Sequence, residues 1–190
     1  MQPEHRSQRR GAADPRPLTG EPLCLDLVNT RWVDDGVLLD LLDSTDGLAV
    51  WLRSAGLDDR ATADRATLDA VLETRGILLA LLEQDPSPET QDGLNRVLER
   101  GALHYRLGPG GPESHPRTDD PAWLPSWLAA ADYLRLMAAS PDRVKPCAHP
   151  NCVLYFHDTT KNGTRRWCSM AICGNRAKAA RHYERAKTGR

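Results

Sequence analysis

The sequence predicts an α+β protein in two parts: a mostly helical N-terminal domain with short strands, then a small treble-clef-like module of loop, β-hairpin and helix. Three observations lead there. Apolar residues recur at helical spacing in four stretches between residues 45 and 139, each bounded by capping or breaking residues. Four of the five cysteines, Cys147, Cys152, Cys168 and Cys173, form two C-x4-C pairs with fifteen residues between them. Charge is divided as well: residues 143–190 hold eleven Lys and Arg against two acids, and residues 1–142 hold fourteen against twenty-four, although the whole chain carries only −1.

In chain order, residues 1–19 are rich in Arg and Pro without an apolar period and read as a disordered arm. Leu23, Leu25 and Leu27 alternate with Cys24, Asp26 and Val28, which predicts a short strand ending near Asn29-Thr30, with Cys24 a small buried residue. Asn29 reads as a turn former, with a ligand contact as the alternative. Asp34, Asp35, Asp40, Asp43 and Asp46 lack the spacing of a calcium loop, and Asp43-Ser44-Thr45-Asp46 reads as the N-cap of a helix. That helix turns Leu48, Trp51, Leu52 and Ala55 inward and stops at Gly56.

A second helix is predicted from Thr62 or Thr67 to Glu83, and a third opens with Ser87 as N-cap and Pro88 at the first helical position. Ala102 to Leu107 reads as a strand, Gly108 to Pro121 as a long loop, and Trp123 to Ala139 as the fourth helix. His104 and His115 have no acid or nucleophile at an informative spacing. Residues 20–141 therefore form one α+β domain, Pro141 to Pro146 its hinge, and residues 142–190 the cysteine module.

Two short loops each presenting two thiolates suit a tetrahedral ion, and zinc is the ion that four sulfurs favour at a closed structural site. Cys147, Cys152, Cys168 and Cys173 are its expected ligands, for one structural zinc, with His149 and His157 as weaker candidates. Val153 to Asp158 and Arg165-Arg166-Trp167 read as a hairpin around Asn162-Gly163. Cys173 then opens a helix over 175–187 that carries Lys178, Arg181, His182 and Arg185 on one side and its alanines on the other. With Glu184 the one acid in this helix, the basic side points to phosphate.

These residues carry a resemblance. The run from Thr160 through Cys168 and Cys173-Gly174-Asn175-Arg176 to Lys178, with the Cys147/Cys152 pair before it, resembles the CGNR zinc finger over about 44 residues. Leu23 to Thr30 and Trp51 to Leu57 resemble the ABATE domain that precedes this finger. The resemblance implies a bacterial stress-induced transcriptional regulator whose finger binds DNA.

The expected function is accordingly that of a DNA-binding transcriptional regulator, with Arg165, Arg166, Arg176, Lys178, Arg181 and Arg185 on double-stranded DNA. For Asn175 and Arg176, bracing of the fold is favoured over base reading. The alternative is a protein-interaction module whose basic finger docks on an acidic partner or on its own acidic body. No nucleophile, base and orienting group stand at recognisable spacing, so no enzyme is expected. The N-terminus lacks a signal-peptide core and no apolar run is long enough to span a bilayer, so a cytoplasmic protein with no membrane partner is expected. A homodimer and a small ligand of the N-terminal domain are left open.

Overall fold

The computed structural model describes residues 13–84, 87–179 and 183. Five helices, α1 (Leu23–Val28), α2 (Thr45–Ser54), α3 (Arg65–Leu82), α4 (Pro88–Glu99) and α5 (Leu124–Ala139), build the larger part. Three antiparallel strand pairs accompany them: β1 (Arg31–Asp34) with β2 (Val37–Asp40), β3 (Gly101–Gly108) with β4 (Gly111–Thr118), and β5 (Val144–Pro146) with β6 (Tyr155–His157). The class is α+β. No helix among the described residues is long and apolar enough to cross a membrane.

The long helices follow their signals. Ser44 accepts from the Gly47 amide to cap α2, Asp64 from Thr67 to cap α3, and Ser87 from Thr90 to cap α4. Trp51 is fully buried, as its place on the inner face of α2 requires.

Residues 23–28 correct the expected strand, because they form α1. The alternation of the leucines with Cys24, Asp26 and Val28 misled here because Asp26 is itself buried and anchors the packing around it. Its Oδ1 accepts from the Arg16 guanidinium (2.7 Å) and Trp51 Nε1 (3.1 Å), and its Oδ2 accepts from the Gly20 amide. With Asp26 inside, the run is apolar on every side, and a short buried run has no period to read.

The same contacts correct the second half of the expected arm. Arg16 is buried and donates to Asp14, Asp26 and Ser54, so residues 13–19 pack onto the body; residues 1–12 lie outside the described residues.

Two hairpins were not expected. Asp35 and Gly36, both at positive φ (45° and 81°), make the tight turn between β1 and β2, the Asp-Gly signature of a two-residue hairpin. The predicted loop after Gly108 is instead β4, paired with β3 over eight positions from Gly101↔Thr118 to Gly108↔Gly111.

In the C-terminal part, β6 pairs with β5 rather than with residues 165–167, so Val144 to Pro146 is a strand and not a hinge. Leu154 and Phe156 are buried in the same apolar cluster as Leu25, Leu27 and Leu48. The cysteine module therefore shares the core of the body.

A candidate metal centre and its basic rim

Cys147 and Cys152 sit in the loop that joins β5 to β6, Cys168 follows the return segment, and Cys173 lies in a wide helical turn, Met170–Gly174, that leads into helical residues 175–179. The four Sγ atoms lie within 4.8 Å of one another. Cys152 Sγ is 3.7 Å from Cys168 Sγ, which is 3.6 Å from Cys173 Sγ. A tetrahedron with metal–sulfur bonds of about 2.3 Å has an edge of about 3.8 Å, so these spacings fit a thiolate-bound ion. Cys147, Cys168 and Cys173 are buried and Cys152 is partly exposed.

Thiols this close also act on one another's ionisation. Hydrogen bonds from the Cys152 and Cys168 thiols hold Cys147 well below the usual thiol range. Its neighbour Cys152 is pushed up to about 12, chiefly by the hydrogen bond it makes to Cys147. Cys168 is pushed up by its bonds to Cys147 and Cys152, and Cys173 by burial. One thiolate suppresses the others unless a cation neutralises them, which is the donor chemistry of a metal site. Among the described residues, neither His149 nor His157 joins the cluster. His149 Nδ1 accepts from the Asn151 amide, and His157 Nε2 bonds Ser140 Oγ. Cys24 is buried in the body beside Asp132, apart from the cluster, and burial pushes its thiol up.

Asp158, 1% exposed, organises the loop below the cysteines. Its carboxylate accepts from Lys145 Nζ (2.8 Å), the Arg165 amide (2.9 Å), and the amide and hydroxyl of Thr160 (3.0 and 2.6 Å). Arg143 donates to Thr160 O, and Gly163 turns the chain at φ +61° where a Cβ would meet the Arg143 guanidinium at 3.0 Å.

Burial works to raise the Asp158 pKa, but the Lys145 ammonium and the Thr160 and Arg165 donors outweigh it and hold the carboxyl well below the usual range. A depressed carboxyl stabilises the fold above its unfolded value, about 3.9, and that stability is lost as pH falls through the folded value. The Asp158→Asn variant should accordingly unfold at lower urea than wild type, by a margin that is constant from about pH 7 to 5 and narrows below about pH 4. A margin that widens on acidification would contradict this role.

The expected nucleic-acid residues divide. Arg165 is turned inward: it donates to Trp167 O (3.0 Å) and Cys168 O (2.6 Å), reaches Glu21 at 3.4 Å, and stacks on Phe156 at 4.3 Å. Its donors serve the fold. Arg166 is exposed, with its guanidinium over the Trp167 ring, and Arg176 and Lys178 are exposed on the helical residues after Cys173. Arg181 and Arg185 lie outside the described residues. Asn175 donates to Ala171 O (3.1 Å) across the turn that holds Cys173.

Two residues that position the finger were not singled out for it. Asn29, 1% exposed, donates from Nδ2 to Tyr155 O (2.8 Å) and accepts at Oδ1 from Tyr155 N (2.9 Å). Its amide thus pairs with β6 as a neighbouring strand would. Glu21 accepts from the His157 amide (2.8 Å) and meets Arg165. The one hint was a polar Asn-Thr pair closing an apolar run.

A helical body whose last helix leads into a four-cysteine metal centre with exposed cations on its rim defines a protein of the metal-finger class. Comparison with known families agrees: residues 143–186 match the CGNR zinc finger, and residues 21–140 match ABATE, described as "Putative stress-induced transcription regulator". The chain belongs to the ABATE family and carries a CGNR zinc finger after the ABATE domain. No curated protein matches it.

Proposed function

We propose that the chain is a cytoplasmic DNA-binding transcription regulator, acting through binding rather than catalysis. One structural zinc ion on Cys147, Cys152, Cys168 and Cys173 holds the finger, and Arg166, Arg176 and Lys178 contact the phosphates of duplex DNA. The sequence alone extends that set to Arg181 and Arg185. The observation that carries the reading is the division of the finger's cations. Arg143, Lys145 and Arg165 spend their donors on the finger's own carbonyls and carboxylates, while Arg166, Arg176 and Lys178 stay exposed around the metal centre. A closed sulfur-only site supplies folding energy and leaves no ligand position for chemistry.

Docking of the finger on its own body does not compete with this. The finger packs on the body through Leu154 and Phe156 and through the Tyr155 main chain, which meets Asn29, and Arg165 makes an ionic contact with Glu21, while Arg166, Arg176 and Lys178 are exposed.

Salt dependence tests the assignment. Each phosphate neutralised on duplex DNA contributes a slope of about −0.9 to log K against log salt. Fluorescence anisotropy with the full chain should show the slope shrinking by about that amount in each of Arg166→Ala, Arg176→Ala and Lys178→Ala. The Arg165→Gln variant should lose thermal stability instead. An unchanged slope in all three rim variants would sink the assignment.

A further inference from the structure

The β3–β4 ribbon is unusual for its exposure: Leu103, Tyr105 and Leu107 of β3 are 45%, 79% and 81% exposed. Side chains of a strand alternate between faces, so these three share one face of the ribbon. A two-stranded ribbon is marginal in water without a further strand or layer.

Its two edges differ. The Asp119 amide donates to Arg100 O (2.8 Å), in register with the pairs His104↔His115 and Arg106↔Glu113. Even-numbered positions of β3 therefore bond to β4, and Gly101, Leu103, Tyr105 and Leu107 turn their main-chain groups to the outer edge. On β4 the outward positions are those opposite, among them Pro112 and Pro116. Proline has no N–H to offer, so the β4 edge is blocked against pairing and the β3 edge is open.

We propose that β3 pairs antiparallel with β3 of a second copy of this chain, about a two-fold axis through Tyr105. The segment Leu103-His104-Tyr105-Arg106-Leu107 is self-complementary about that point, as an isologous contact demands. Leu103 meets the partner subunit's Leu107, and Tyr105 meets the partner subunit's Tyr105, on one apolar face. On the other face His104 meets the partner's Arg106, whose charge its own Glu113 holds at 2.9 Å. The product is a four-stranded sheet in the order β4-β3-β3-β4. Both of its outer edges carry the β4 prolines, so assembly stops at two chains. The inference stands apart from DNA binding, because it concerns the free protein.

Sedimentation equilibrium of the zinc-loaded full chain, without DNA and at high micromolar concentration, reads the outcome. Wild type should have twice the chain mass of 21.1 kDa. Tyr105→Pro removes one outward N–H and no bond to β4, and the double variant Leu103→Lys/Leu107→Lys charges the apolar face while leaving the main chain intact. Loss of the dimer in either variant, with metal content retained, supports the pairing. A monomeric wild type, or a dimer that survives both changes, overturns it.

Discussion

Replacing Cys168 by serine is expected to abolish metal binding, to unfold residues 143–179, and to destabilise the helical body with them. Cys168 is central to the cluster, since its Sγ lies 3.7 and 3.6 Å from those of Cys152 and Cys173 and its amide donates to Cys147 Sγ at 3.4 Å. Small structural zinc sites supply roughly 10 to 16 kcal/mol of apparent binding energy, comparable with the whole stability of a domain at about 5 to 15 kcal/mol. The effect extends past the finger because Leu154 and Phe156 fill the core beside Leu25 and Leu27, and each buried side chain of this size stabilises by about 1.5 to 3 kcal/mol. Metal content and a thermal melt of Cys168→Ser check this together. Full metal occupancy, or a melting midpoint equal to wild type, would refute it.

The second large effect is expected at Asn29, whose amide is the polar link between α1 and β6. Asn29→Ala leaves the half-buried N–H and C=O of Tyr155 without the partners they have at 2.9 and 2.8 Å. A fully buried unsatisfied group costs about 1 to 3 kcal/mol, and because water reaches part of this half-buried pair the two groups together should cost about 1 to 3 kcal/mol. For a chain of this length that lowers the melting midpoint by about 2 to 12 °C. Asn29→Asp keeps the acceptor for Tyr155 N but sets a carboxylate against Tyr155 O, and should be no milder. A loss below about 0.5 kcal/mol on Asn29→Ala, the level of an ordinary surface change, would show that Asn29 does not couple finger and body.

The sequence made the four longer helices and the clustering of the four cysteines legible because both announce themselves locally. Ser44 and Ser87 cap where their spacing to the next apolar face says they should, and two C-x4-C pairs leave little freedom in what they bind. What escaped was set by distant partners. Asp26 alternates with leucines as a strand residue would, and only Arg16 and Trp51, distant in the sequence, enclose it. Pro112 and Pro116 made β4 read as a loop, although prolines at outward positions interrupt no bond within the ribbon. Arg165 looked like its exposed neighbour Arg166, and only the returning chain shows that its donors face Trp167 O and Cys168 O.

The central claim, that a metal-held finger presents exposed cations to DNA, is tested most directly by one titration. The full chain would be titrated with duplex DNA at several salt concentrations, first zinc-loaded and then after chelation. The account predicts salt-sensitive binding with a log–log slope of about −0.9 per phosphate engaged, lost on chelation and restored by zinc. Binding that ignores salt between about 50 and 200 mM, or that persists unchanged in the metal-free chain, would contradict it.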